Sequence, residues 1–347
     1  MKSLLYTIPG LLFLLTGCTA FPLQYILVDA PHISAEPYTE VTMSDSRQNL
    51  HWQIDSKFEQ ADTFCVKYHP ISATKHCVVV EGCISDNEKK YPVVLDTGAS
   101  QGVFVNDIHA RENKLLSYPV KTNKASQDYG LGFCHIPELR IGQMTLVDFP
   151  CWYLQRHLEV KFFGMPIARD DSIILGLTAL REFSCIVFDS INKEVEFLCN
   201  RTFEPDQEHE WSRYPLSIEE DRGNAFLFVR IPIAGEQIKV QLDTGSGNGL
   251  SLSEELWEKL SHKVKNVNLK EGTELYPYIG RLPCRKGTVA QLQVGDRLIQ
   301  NAKISVFPAN SPLLSDCDAI LGMQYFQDAV MVLDFKNAML WVRNHVN

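Results

Sequence analysis

The run VVLDTGAS at 93–100 decides how this chain is read. It is a short apolar stretch that ends on Asp96, with Thr97 and Gly98 behind it. A second run, VQLDTGSG at 240–247, ends on Asp243 in the same way and continues into Thr244, Gly245 and Ser246. Burying an aspartate at a strand end is costly, so doing it twice needs a reason. Chance supplies one Asp-Thr-Gly in about one chain in fifteen of this length. A single copy would read as a strand-end turn, because Asp and Gly are common turn formers.

The repetition extends well past the triplets, which start 147 residues apart. Ile174-Leu175-Gly176 ends 80 residues after Asp96, and Ile320-Leu321-Gly322 ends 79 residues after Asp243. Each is followed by a short helix-compatible stretch, an apolar strand, an aspartate (Asp189 or Asp334), a polar turn and another strand. KYHPIS at 67–72 is echoed by RYPLSI at 213–218, and LRIG at 139–142 by LQVG at 292–295. Self-similarity at a fixed offset marks a duplication. Residues 46–199 form one lobe and 212–347 the other, with the polar stretch 200–211 as linker. Residues 46–64 carry either no regular element or an edge strand. Asp189 and Asp334 read as turn formers.

Short β-branched and aromatic runs recur throughout, so the chain is mainly β. The best helical signal is SLSEELWEKLSHKV from Ser251, which opens with Ser-x-x-Glu and spaces its apolar residues helically. The chain has 347 residues, 45% of them apolar and 22% charged, which is globular composition for two domains. The net charge is -9 with no basic patch, which argues against a nucleic-acid partner. There is no His-Glu-x-x-His pair, no Gly-x-Ser-x-Gly and no phosphate-binding glycine loop, so no metal or cofactor is expected.

Met1-Lys2 and the apolar run LLYTIPGLLFLLTGC give the chain the two regions of a secretory signal. An ordinary signal or a short membrane anchor fits this pattern. Leu15-Thr16-Gly17-Cys18 also resembles the lipobox of bacterial lipoproteins, and that reading is adopted. The resemblance implies removal of residues 1–17, lipidation of Cys18, a tether over 18–45 rich in Pro, Ser and Thr, and a cell-envelope location. Thr19 after the cysteine favours the outer membrane facing the periplasm. Nine cysteines remain, and an odd count leaves at least one thiol unpaired within the chain. Cys185, inside FSCIVF, reads as a buried structural thiol. Cys284 and Cys317 are the one pair available inside the second half.

With both triplets and both Ile-Leu-Gly segments in view, the halves resemble the two lobes of an aspartic protease. LDTGAS is similar to the retropepsin form, and two lobes on one chain is the pepsin-like arrangement. The resemblance implies a mainly β, two-lobed fold with pseudo-two-fold symmetry and a monomer acting on a peptide or protein. It implies that Asp96 and Asp243 meet at the axis as the catalytic pair. Thr97 and Thr244 would bond across the axis, and Gly98 and Gly245 would permit close approach. Two carboxyl groups in contact share one proton and titrate as a unit. A hydroxyl beside a carboxylate favours its ionised form. Ser246, which has no counterpart at Ala99, is therefore expected to hold Asp243 ionised and leave the proton on Asp96.

The family also closes a hairpin flap over its substrate. Tyr129-Gly130, in DYGLG, lies 33 residues after Asp96, and Tyr278, in YPYIG, lies 35 after Asp243. These are the flap candidates, against the plainer reading of glycine hairpins with surface tyrosines. Two other functions fit parts of the pattern. One is a non-catalytic peptide-binding module on the same fold. The other is a glycosidase with two carboxylates, which the symmetry disfavours because its acid and nucleophile need unlike surroundings.

Overall fold

The computed structural model describes residues 24–29, 52–54, 62–68, 77–85, 87–119, 131–221, 224–276, 280–314 and 317–344. Its centre is a six-stranded sheet to which each half contributes three strands. The antiparallel pair Cys185–Asp189 and Ala329–Asp334 lies in the middle, with Val187 opposite Val332. Outward on one side come Glu194–Leu198 and Thr63–Lys67, and on the other Met339–Asn344 and Trp211–Asp221. The two middle strands are the apolar runs CIVFD and AVMVLD of the sequence repeat. The pseudo-two-fold axis therefore passes between equivalent residues.

Each half then builds its own barrel-like sheet in matching order. In the first, Met144–Leu154, Val103–Asn106, Ile173–Gly176, Lys90–Asp96, Val79–Ile84, Leu131–Ile141 and Ser117–Pro119 are successive neighbours, and 144–154 also pairs with 131–141. In the second, Arg297–Phe307, Leu250–Ser253, Ala319–Gly322, Glu236–Asp243 and Asn224–Ile233 follow one another. There Gly280–Val294 pairs with 297–307, with Val267–Tyr276 and with Asn224–Ile233. The molecule is thus mainly β and two-lobed, with pseudo-two-fold symmetry.

Local chemistry explains the elements that matter for the site. KYPVVLD alternates between buried and half-exposed positions, with Tyr91, Val93 and Leu95 facing the core. That is the period of a strand with one face buried. Asp189 closes its turn by accepting the N–H groups of Ile191 (2.9 Å) and Asn192 (2.8 Å). Asp334 does the same with the Asn337 N–H at 2.9 Å. Both are the turn formers the repeat pattern indicated.

Two expectations need correction. The helix expected from Ser251 starts later, at Glu254–Ser261, because residues 250–253 are held as a strand between 304–307 and 319–321. Its cap is Ser253, which accepts the Leu256 N–H at 3.2 Å. The stretch taken as a free tether is not one throughout: Gln24–Asp29 is a strand paired with Arg156–Phe162. Cys284 and Cys317, the one pair available inside the second half, are not joined, and the Cys317 thiol donates to Gln241 Oε1 at 3.5 Å. Cys185 is fully buried as expected, and burial pushes its thiol up to about 12. Residues 46–64 do supply an edge strand, Trp52–Ile54, beside Met144–Leu146.

Candidate active site

Asp96 and Asp243 are the last residues of strands Lys90–Asp96 and Glu236–Asp243. Each strand runs parallel to the Ile-Leu-Gly strand of its own half, with Gly176 beside Asp96 and Gly322 beside Asp243. The loop after each aspartate folds back over that glycine. Leu177 N–H donates to Ala99 O at 2.8 Å, and Met323 N–H donates to Ser246 O at 2.9 Å. A Cβ on Gly176 would run into the carbonyl oxygens of Gln101 and Ala99, and one on Gly322 into those of Asn248 and Ser246. The second repeat motif ends in glycine because the aspartate loop lies directly on it.

The loops meet across the axis through their threonines. Thr97 Oγ1 donates to Leu242 O at 2.7 Å, and Thr244 Oγ1 donates to Leu95 O at 2.7 Å. The Thr97 N–H donates to Thr244 Oγ1 at 3.0 Å, and the Thr244 N–H donates to Thr97 Oγ1 at 3.1 Å. Both threonines are fully buried. These four bonds cross from one lobe to the other in equivalent pairs.

The same closure brings the carboxyl groups together. A Cβ on Gly98 would overlap the Asp243 carboxyl group, and one on Gly245 would overlap that of Asp96. The two carboxyl groups hydrogen-bond to one another. Burial raises both above the usual carboxylate range, and the neighbouring Asp96 charge adds to the rise at Asp243. The two are not equal. Asp96 Oδ1 accepts the Gly98 N–H at 2.8 Å and the Ala99 N–H at 3.1 Å, which favours the charged form. Asp243 faces the backbone amides of Ser246 and Gly245, and its Oδ1 is buried without a hydrogen-bond partner among the described residues. Two carboxyl groups in contact at this depth share one proton and titrate as a pair.

The sequence leads one to expect that Ser246 acts on Asp243 through its hydroxyl. Its hydroxyl accepts the Asn248 N–H at 3.3 Å, within its own loop, and it is the backbone amide of Ser246 that faces the carboxyl group.

Four residues at the site have no counterpart in the sequence reading. Asn224 Oδ1 accepts from Ser100 Oγ (3.2 Å) and Gln101 Nε2 (2.9 Å), joining the lobes beside the first loop. The buried Cys77 thiol donates to Gly245 O at 2.8 Å. In the second lobe, Glu274 Oε2 accepts from Tyr276 Oη (3.2 Å) and Asn248 Nδ2 (3.3 Å), and Oε1 accepts from the Ser305 hydroxyl. Glu274 thus ties strand Val267–Tyr276 to the Asp243 loop. Burial first, then the Glu274 charge, raises the Tyr276 phenol, and the Asp243 charge reaches it as well. YPYIG held two tyrosines two apart, a spacing that shares one face of a strand. That was the available signal for Tyr276; Asn224, Cys77 and Glu274 offered none.

The flap candidates Tyr129, Gly130 and Tyr278 lie outside the described residues, as does Cys18. Described strands flank both flap positions: Ser117–Pro119 pairs with Leu131–Ile141, and Val267–Tyr276 pairs with Gly280–Val294. Among the described residues no group of three His, Cys, Asp or Glu side chains is placed to hold a metal ion, and no helix is long and apolar enough to cross a membrane.

The sequence matches no family model, and no curated protein matches it. Among solved structures the chain is similar to conglutin gamma, a basic 7S globulin from lupine seeds, at 11% identity and a TM-score of 0.46 over 82% of this chain and 95% of that one. It is similar to the basic 7S globulin from soybean at 11% identity and a TM-score of 0.43, over 84% and 95%. An aspartic proteinase from Irpex lacteus gives 11% identity and a TM-score of 0.46, over 81% and 97%. Likeness at this level concerns the course of the backbone and says nothing about shared chemistry.

Proposed function

We propose that this chain is an aspartic endopeptidase held to the cell envelope by a lipid on Cys18. The observation that carries the catalytic reading is the pair of buried carboxyl groups hydrogen-bonded to each other beneath two equivalent loops. In this reading a water bound between them loses a proton to charged Asp96 as it attacks the peptide carbonyl carbon. Protonated Asp243 donates to the carbonyl oxygen, so the tetrahedral intermediate forms neutral. Asp96 then returns its proton to the leaving nitrogen as the C–N bond breaks, and Asp243 recovers its own. No acyl-enzyme is needed. Thr97 and Thr244 hold the loops still, and Gly98 and Gly245 leave room for the opposite carboxyl group. Tyr129, Gly130 and Tyr278 are proposed to cover the substrate.

The test is cleavage of a mixed peptide pool at several pH values by the wild-type chain beside Asp96→Ala and Asp243→Ala. Cleavage is expected from the wild type and from neither variant. Activity surviving either substitution would overturn the mechanism. No cleavage at any pH, together with peptide retention by the wild type, would assign the cleft to binding alone. For the anchor, growth with radiolabelled fatty acid is expected to label the wild type and not Cys18→Ser. The proposed location is the outer membrane, facing the periplasm.

A further inference from the structure

Strand Gln24–Asp29 pairs with Arg156–Phe162 in antiparallel register without a break, from Gln24 opposite Lys161 to Asp29 opposite Arg156. Arg156–Phe162 turns back into Met165–Arg169 through Phe163 (φ 51°) and Gly164 (φ 76°). Together they form a three-stranded sheet separate from the other two. The register places the N-terminal end of the first strand at the tip of the 156–169 hairpin.

That tip is unlike the rest of the surface. Phe163 is 62% exposed, Met165 62% and Ile167 55%. These are three of the seven large apolar side chains that stand out into solvent among the described residues. The tip's two cations are already paired with acids, Lys161 with Glu159 at 3.4 Å and Arg169 with Glu112 at 2.8 Å, so the apolar side chains are what set this tip apart. Exposed apolar groups clustered at a hairpin tip suit a lipid surface better than water.

The chain itself says where such a surface would be. Only five residues, Thr19 to Leu23, separate Gln24 from Cys18. Fully extended they reach roughly 20 Å. A lipid on Cys18 would therefore hold the bilayer within that distance of the hairpin tip. We infer that the tip around Phe163, Met165 and Ile167 inserts into the lipid leaflet that carries the Cys18 lipid, fixing the first lobe against the membrane as a second point of attachment. This inference rests on the lipid-anchor reading above.

The test uses full-length protein purified from membranes and reconstituted into vesicles of phosphatidylethanolamine and phosphatidylglycerol with bromine-labelled acyl chains. Met165→Trp adds a tryptophan at the tip, and Leu298→Trp adds one at an exposed apolar site of the second lobe, 51% exposed in the native chain. Both positions are open, so both variants are expected to fold. Bromine quenching of the added tryptophan, taken as the difference from the parent chain, is expected to be at least about threefold stronger at 165 than at 298. Equal quenching at the two sites on a chain whose intact mass carries the lipid would overturn the inference and leave the anchor standing. An intact mass without lipid would sink the anchor reading; quenching confined to 165 would then still support lipid contact at the tip. Cross-linking of tip to tip between copies, with no quenching at 165, would assign the patch to a second copy of this chain and overturn the inference.

Discussion

Thr97 and Thr244 hold each other across the pseudo-two-fold axis: each hydroxyl accepts the other's N–H while donating to a carbonyl of the opposite half. All the groups involved are buried. Replacing Thr97 with Val keeps the shape but leaves the Leu242 carbonyl and the Thr244 amide unpaired. An unpaired buried polar group costs about 1–3 kcal/mol. Thr97→Val and Thr244→Val should therefore each lower unfolding free energy by about 2–4 kcal/mol in urea titration. Thr→Ser at either position should restore most of it. The double Val variant should cost less than the sum, because the two side chains share bonds.

The raised carboxyl groups make a pH prediction whose sign is fixed. A carboxyl group whose folded pKa lies above its unfolded value binds more protons when folded. Its contribution is fully present below the ordinary carboxylate pKa of about 4 and is lost as pH rises through the folded value. Both Asp96 and Asp243 are raised, Asp243 well above the usual range. Asp243→Asn imitates the neutral form and removes this loss. The melting temperature of the wild type relative to Asp243→Asn should fall as pH rises above about 4. A difference that is flat with pH would mean that the pair does not share a proton. Peptide cleavage by Asp243→Asn should drop about a hundredfold or more, because the general acid is gone.

The glycines of the second repeat motif give a sharper steric test. Ala at 176 or 322 must push its Cβ into backbone carbonyls of the aspartate loop, which cannot swing aside as a side chain can. Each substitution should cost about 1–3 kcal/mol or more and move the carboxyl group out of place, lowering activity further than stability alone explains. Gly272→Ala is the control. Its Cβ would meet only the flexible Lys286 side chain, at 3.2 Å, and unfolding should shift by less than about 0.5 kcal/mol.

What the sequence made legible, and what it hid, follows from where the information lies. Asp96, Asp243 and their glycines were readable because the geometry needs those residue types and the duplication states them twice. Strand Gln24–Asp29 was obscured because its local run, QYILVD, sits in a stretch whose composition reads as a polar tether, and its partner is about 130 residues away. At Ser246 the hydroxyl shows in the letters, but its bond to the Asn248 amide is set by the turn. Asn224 and Cys77 touch the site only after the two lobes close, so no periodicity or spacing marks them.

Glu274 carries the last prediction. Both its oxygens are committed to donors: Oε2 to Tyr276 and Asn248, Oε1 to Ser305. A glutamine there keeps the shape, but whichever way its amide turns, an N–H₂ faces a donor. The hydroxyls of Ser305 and Tyr276 can rotate; Asn248 Nδ2 cannot become an acceptor without flipping its own amide. Glu274→Gln should cost about 1–2 kcal/mol in unfolding. It should also loosen strand Val267–Tyr276 from the Asp243 loop, so that KM for a cleaved peptide rises by more than kcat falls. Tyr276→Phe removes one of the three donors, leaves Asn248 and Ser305 bonded, and should give the same split at smaller size. A loss confined to kcat, with KM unchanged, would place Glu274 in the chemistry of the carboxyl pair and not in holding strand Val267–Tyr276 to the Asp243 loop.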